Sequence, residues 1–331
     1  MGKDIGAEVK KACRNIMAIV FLSLSFLPGL FGQLQSSSSI AGLAGAAMRM
    51  GFGARGIAMG NAMTAVISGD LQSYYNPAVI PFQSDPTIVA AYGVLSLDRR
   101  LNYLSYTKNV KPDAGLSLSI INAGVGNIDG RNRDGIHTET YSTSENAFML
   151  SFGLRPVPSF SFGINVKILY YSLFEGIKST TAAVDIGVIY RLSQDITVGA
   201  AIQDINAKYK WETTSLYGIN GNSTAEKFPL RKRIGISWIP VDYSFIFSGE
   251  FEVIGSASFA RIGSEIEVFE NIHIRGGVDQ IALNADLPAK PALGISAQTK
   301  LSTWSPAFQY TYVFEPYSPS GIHILSFSLK L

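Results

Sequence analysis

The chain of 331 residues carries a single cysteine, Cys13, and only three histidines, His137, His273 and His323. One thiol excludes an internal disulfide and a thiolate metal cluster. The histidines stand alone in their segments, none at ligand spacing, and neither G-x-S-x-G nor H-E-x-x-H occurs. No catalytic residue, metal or cofactor is expected, and the chain does not read as an enzyme. Charge is scarce as well, at 16% of residues, against about 25% in a soluble domain. No apolar run reaches the roughly 20 residues that a helical span requires. Low charge without a long apolar run leaves a membrane protein that crosses with strands.

The longest apolar run, Ile16–Leu30, follows Lys3, Lys10, Lys11 and Arg14 and precedes Gly32, the layout of an export signal over residues 1–32. Removing it takes away Cys13 and leaves 23 basic and 23 acidic side chains. No basic surface remains to argue for nucleic acid. Export without disulfides suits a bacterial envelope.

Beyond Asp85 the dominant signal is period-2 alternation. Phe160, Phe162, Ile164, Val166, Ile168 and Tyr170 alternate with Ser161, Gly163, Asn165 and Lys167. Segments of about ten residues with one apolar and one polar face are the signature of a transmembrane β-barrel, apolar side to lipid. Fourteen strands are expected, at 86–97, 100–110, 113–123, 145–155, 159–172, 180–192, 195–205, 231–239, 243–253, 258–268, 272–282, 291–301, 304–314 and 321–331. Connections alternate between short and long, the long ones including 124–144 and 206–230. An even count with short periplasmic turns places both barrel ends on the periplasmic side of an outer membrane. The expected division is a signal at 1–32, an N-terminal segment with a lumen plug at 33–85, and a barrel at 86–331.

The pleat also fixes a register. A three-residue turn at 269–271 puts Val268 opposite Ile272, Glu265 opposite Arg275 and Arg261 opposite Asp279. Pairing Trp238 with Tyr243 sets Arg231 opposite Glu250. These are expected as charge pairs in the lumen, part of a structural ladder with Glu252 and Glu267 among the same residues. Asp129, Asn132 and Asp134 offer oxygen ligands at a spacing that suits calcium, but Arg131 and Arg133 lie between them, and a solvated loop is the reading.

One stretch does not alternate. Gly51–Ala78 is rich in Gly and Ala, begins Gly51-Phe52-Gly53-Ala54-Arg55-Gly56 and ends Tyr75-Asn76-Pro77-Ala78. The G-x-G-x-x-G spacing suggests a dinucleotide site, with Asp70 downstream, but no strand precedes it and antiparallel β follows, so the βαβ context is missing. Its glycines, including Gly60, read instead as close-packing points that let backbone lie against a wall. This stretch, with Ser68-Gly69-Asp70, Leu95–Arg100 and Ile121–Val125, resembles the PorV/PorQ family, within the superfamily of FadL-like outer-membrane barrels. The resemblance implies a fourteen-stranded barrel with its N-terminal segment inside as a hatch. It also implies a role in type IX secretion, where members bind exported proteins or pass them to surface-attachment machinery.

Two further readings stand beside that one: FadL-like passage of a hydrophobic small molecule, and a structural or pore protein. Expected partners are outer-membrane lipid and exported proteins or secretion subunits, or alternatively the hydrophobic solute. Tyr209, Trp211, Leu216 and Tyr217 in loop 206–230 are candidate partner-facing residues, since aromatic side chains are favoured at protein interfaces.

Overall fold

The computed structural model describes residues 40, 42–174, 176–240, 244–316, 318 and 320–331. The expected signal at 1–32 and Cys13 lie outside the described residues, as does Tyr243.

Among the described residues sixteen strands form: β1 Thr87–Val94, β2 Arg99–Val110, β3 Ala114–Arg131, β4 His137–Val157, β5 Phe160–Phe174, β6 Ile177–Arg191, β7 Ile196–Ile205, β8 Lys208–Glu212, β9 Ser223–Lys227, β10 Arg231–Trp238, β11 Phe245–Ile254, β12 Ala257–Phe269, β13 Ile272–Ala282, β14 Lys290–Gln298, β15 Ser305–Val313 and β16 Ile322–Lys330. All but β8 and β9 pair antiparallel with their neighbours into a closed fourteen-stranded barrel, sealed where Thr87 of β1 meets Lys330 of β16. β8 and β9 make a separate hairpin within the connection from β7 to β10.

The alternation places side chains as expected. On β5, Phe162, Ile164, Val166 and Ile168 are each about half exposed on the outer wall, while Ser161 and Asn165 are fully buried inside. The same contrast recurs on β3, β4, β10 and β16. Apolar side chains ring the outside, the arrangement that lipid requires, and polar ones line much of the lumen, with an apolar patch on β2 to β5. Closure matters because no sheet edge finds a hydrogen-bond partner in hydrocarbon.

Three expectations are corrected. The turn between β12 and β13 has two residues, 270–271, and Phe269 rather than Val268 lies opposite Ile272; a bulge between Glu267 and Phe269 absorbs the extra residue and keeps Glu265 opposite Arg275. Residues 124–144 are not a loop: β3 and β4 run on as a paired ribbon, Val125 opposite Thr143 and Ile128 opposite Tyr141, with a tip at only 132–136. The Thr and Tyr residues of 138–144 favour strand, yet beyond the apolar band neither face is apolar, so no alternation marks them. At β10–β11 the register is shifted by four residues, Trp238 lying opposite Phe247 and Arg233 opposite Glu252. The connection is longer than assumed. Because four is even, every residue keeps its face, and the lumen assignment survives although the partners change.

Candidate functional site in the plugged lumen

The segment after residue 43 fills the lumen. It contains a 3-10 turn Ala47–Arg49, a short helix Ala54–Ala58 and a second 3-10 segment Pro77–Phe82. Asn76 caps that last segment: its side-chain oxygen accepts from the Ala78 N–H at 2.9 Å, and Pro77 takes the first position, where its missing N–H costs nothing. The Asn76 amide also donates to the Thr64 carbonyl at 2.8 Å, tying the last segment of the plug to its middle.

The barrel wall accepts this backbone through glycines of its own. Gly115, Gly153, Gly163 and Gly187 lie side by side across β3 to β6. Gly199 on the adjoining β7, and Gly263, Gly277 and Gly294 on β12 to β14, continue the belt. A Cβ at Gly163 collides with Pro77, at Gly187 with Asn76, at Gly199 with Thr64, at Gly263 with Met59 and at Gly277 with Gly60. Plug main chain therefore rests on wall main chain, too close for any side chain. Of the plug's glycines, Gly60 serves the same end, meeting the Ile262 and Val278 backbone, whereas Gly51, Gly53 and Gly56 make room within the plug itself for the side chains of Asn61, Gln72 and Tyr75. Gly51 and Gly53 also adopt φ of +89° and +79°, open to glycine at little cost.

Charge then fixes position. Arg55, buried in the plug, donates from Nε and Nη2 to both oxygens of Glu265 at 2.8 and 3.0 Å, and from Nη1 to the Ser68 carbonyl at 2.7 Å. Glu265 also holds Arg275, the pairing expected from the register. Arg261 binds Asp279, likewise as expected, and Asp279 receives the Asn61 amide at 2.8 Å. Arg231 does not pair with Glu250. It reaches Glu252 at 2.8 Å, and Glu250 instead binds Arg233 at 2.5 Å and accepts the plug's Thr64 N–H at 3.1 Å. Asp70 accepts from Gln309 at 2.9 Å. The charged wall of β10 to β13 is thus a receptor for the plug.

The wall opposite is apolar inside. Leu101, Tyr103, Ile121, Ala123, Ala147, Met149 and Leu169 pack with Met48, Phe52 and Tyr74 of the plug. Above this cluster, at the end with the long hairpins, opens a recess of about 500 Å³. Leu43, Ala47, Met50 and Ile57 form its floor, and Leu95, Leu101, Ala123, Ala292, Val313 and Ile324 line its wall. Apart from Arg100, the charged groups on its rim are internally satisfied. Arg49 donates to the Ala44 and Leu43 carbonyls at 2.5 and 3.2 Å, Arg99 to Ser96, and Lys290 pairs with Glu315 at 3.2 Å. Tyr209 donates to Glu145 at 2.9 Å. Sequence reasoning missed this recess, which draws residues from plug and wall far apart in the chain.

The loop candidates divide. Tyr209 and Trp211 do not face a partner: they are buried at 3% and 8% exposure, packed with Tyr171 and Phe228 at the base of the β8–β9 hairpin. Leu216 is partly buried against the same cluster, while Tyr217 and Ile219 stand exposed at the tip. On the β3–β4 ribbon Asp129 binds His137 Nδ1 at 2.6 Å and Arg131 Nε at 2.8 Å, and the bonds from His137 and then Arg131 hold its carboxyl below the usual range. Its oxygens are engaged by protein groups.

Compared by sequence, the chain matches no family profile and no curated protein. Its structure is similar to that of the toluene transporter TbuX of Ralstonia pickettii, with a TM-score of 0.58 at 12% identity over 85% of this chain and 98% of that one. Pseudomonas putida TodX, also a toluene transporter, matches with a TM-score of 0.58 at 11% identity over 84% and 96%. A Pseudomonas aeruginosa FadL homologue matches with a TM-score of 0.54 at 10% identity over 82% and 96%. At this identity the likeness shows the fold alone, the closed barrel that fourteen strands form among the described residues.

Proposed function

We propose that the protein is an outer-membrane barrel that admits small neutral hydrophobic solutes, with the recess above the plug as their first binding site. In this reading the long hairpins face outward and the short turns and chain ends face the periplasm. The recess carries the argument. It is concave and aliphatic on floor and wall, and its charged groups Arg49, Arg99, Glu145, Asp279, Lys290 and Glu315 already have partners within the chain, which leaves Arg100 as the one charged lining group without a partner among the described residues. A cavity of this size with few free polar groups is the usual form of a small-molecule site. The toluene transporters of like fold support the choice of solute. Uptake of radiolabelled toluene by cells carrying the chain tests it. Ala123→Trp, which fills the recess, should slow uptake at least tenfold, whereas Leu118→Trp on the lipid-facing wall should leave it unchanged. Equal rates in both variants rule the site out.

A second reading keeps the resemblance to the PorV/PorQ family, with exported proteins or secretion subunits as partners. The exposed Tyr217 and Ile219 at the hairpin tip favour it, since aromatic anchors are enriched at interfaces. Co-purification of exported proteins that is lost in a Tyr217→Ser, Ile219→Ser variant is its signature.

A further inference from the structure

A second recess, of about 320 Å³, lies at the short-turn end of the lumen, and it shares no lining residue with the recess above the plug. Plug residues Ser68 and Phe82 cover it, and Arg155, Arg191 and Asp195 stand on its wall. Arg155 is already engaged, donating to Asp113 at 2.8 Å and lying 5.2 Å over the Phe82 ring. Arg191 is not. Among the described residues its guanidinium has no ion-pair partner, and its Nε is shielded from solvent without a hydrogen bond. Asp195 is in the same condition, its Oδ1 shielded and without a donor, and the Ser68 hydroxyl nearby is a third such atom. Buried polar atoms left unmade are costly and few in native proteins. Here a cation and an anion line one recess with no ion-pair partner among the described residues, neither each other nor, for Asp195, neighbouring Arg155.

We propose that this recess is a binding site for a small dipolar ligand of the amino-acid class, reached from the side opposite the hydrophobe site and independent of it. A carboxylate suits the planar, multi-donor guanidinium of Arg191, and an ammonium on the adjacent carbon suits Asp195. A simple anion satisfies one group and is repelled by the other, and a simple cation likewise, so the zwitterion is preferred over either.

Saturation-transfer NMR on the full chain in detergent at low salt tests this with three probes: glycine, acetate and methylammonium. Wild-type protein should transfer most strongly to glycine. Arg191→Gln should weaken glycine and acetate by about tenfold or more, the loss of one charge-assisted hydrogen bond. Asp195→Asn should abolish the preference of glycine over acetate. Neither side chain has a protein partner to lose, so both variants should keep the heat-modifiable gel mobility of the folded barrel. Ala123→Trp, in the other recess, should leave the transfer to glycine as in the wild type while slowing toluene uptake as above. The proposal is overturned if glycine shows no advantage on wild-type protein, or if its transfer survives both Arg191→Gln and Asp195→Asn.

Discussion

Replacing Arg55 with methionine is the sharpest perturbation of the plug. The guanidinium is 3% exposed and makes three hydrogen bonds, two of them to Glu265. Removing one member of a buried ion pair costs about 3–5 kcal/mol, because the other charge is stranded. Glu265 keeps Arg275, so the lower bound of about 3 kcal/mol applies, or roughly 150-fold at about 1.36 kcal/mol per decade. That factor should appear in how often the plug opens. Ser73 is fully buried and its hydroxyl has no partner, so Ser73→Cys in a Cys13→Ser background places a reporter at little cost. When opening is fast relative to modification, maleimide labelling tracks the open population. Arg55→Met should therefore accelerate labelling about 150-fold, and Arg55→Lys by less, since one ammonium replaces part of the fork. A change under twofold in Arg55→Met would mean that the Arg55–Glu265 pair does not hold the plug.

Other outcomes follow from the same geometry. Gly277→Val drives a side chain into Met59 and Gly60 and should leave the plug unseated, read as small-solute conductance in planar bilayers where the wild-type barrel is closed. Gly53→Val, strained at φ +79° and clashing with Gln72, should lower the yield of folded, heat-modifiable barrel. A double-mutant cycle on Arg231 should give strong coupling with Glu252 and little with Glu250, whose partners are Arg233 and Arg261. At the ribbon tip the Asp129 carboxyl is depressed by His137 and Arg131. Its contribution to order at the tip is therefore full above the unfolded carboxylate range and fades as pH falls through the folded value. Amide exchange at 129–137 should rise on acidification, and Asp129→Asn should remove that dependence.

Much of the fold was legible because a barrel writes itself locally. Each strand alternates, and an even register error leaves faces intact, so the lumen positions of Arg231 and Glu250 survived a misplaced turn. The β3–β4 ribbon was hidden because strand above the lipid has no polarity contrast to betray it. The plug was legible as a break in period. Its seat was partly so: glycines such as Gly163, Gly187, Gly263 and Gly277 fall at inward positions, a signal that only becomes a belt once strands are paired. Tyr209 and Trp211 looked like partner-facing residues since composition cannot distinguish an exposed aromatic from one buried under its own hairpin. The recess above the plug had no sequence signal, because its floor and wall come from residues 43–57 and from strands at both ends of the barrel.

The most direct test of the account maps where a hydrophobe rests. A small aliphatic diazirine, photolysed on the full chain in nanodiscs and located by mass spectrometry, should label the recess floor at Leu43, Ala47, Met50 and Ile57 and the wall at Ala123 and Ile324. Excess toluene should suppress that labelling, and the lipid-facing Leu118, Ile164 and Val166 should label without competition. Labelling confined to the lipid-facing residues, or recess labelling that toluene does not displace, would contradict a hydrophobe site above a sealed lumen.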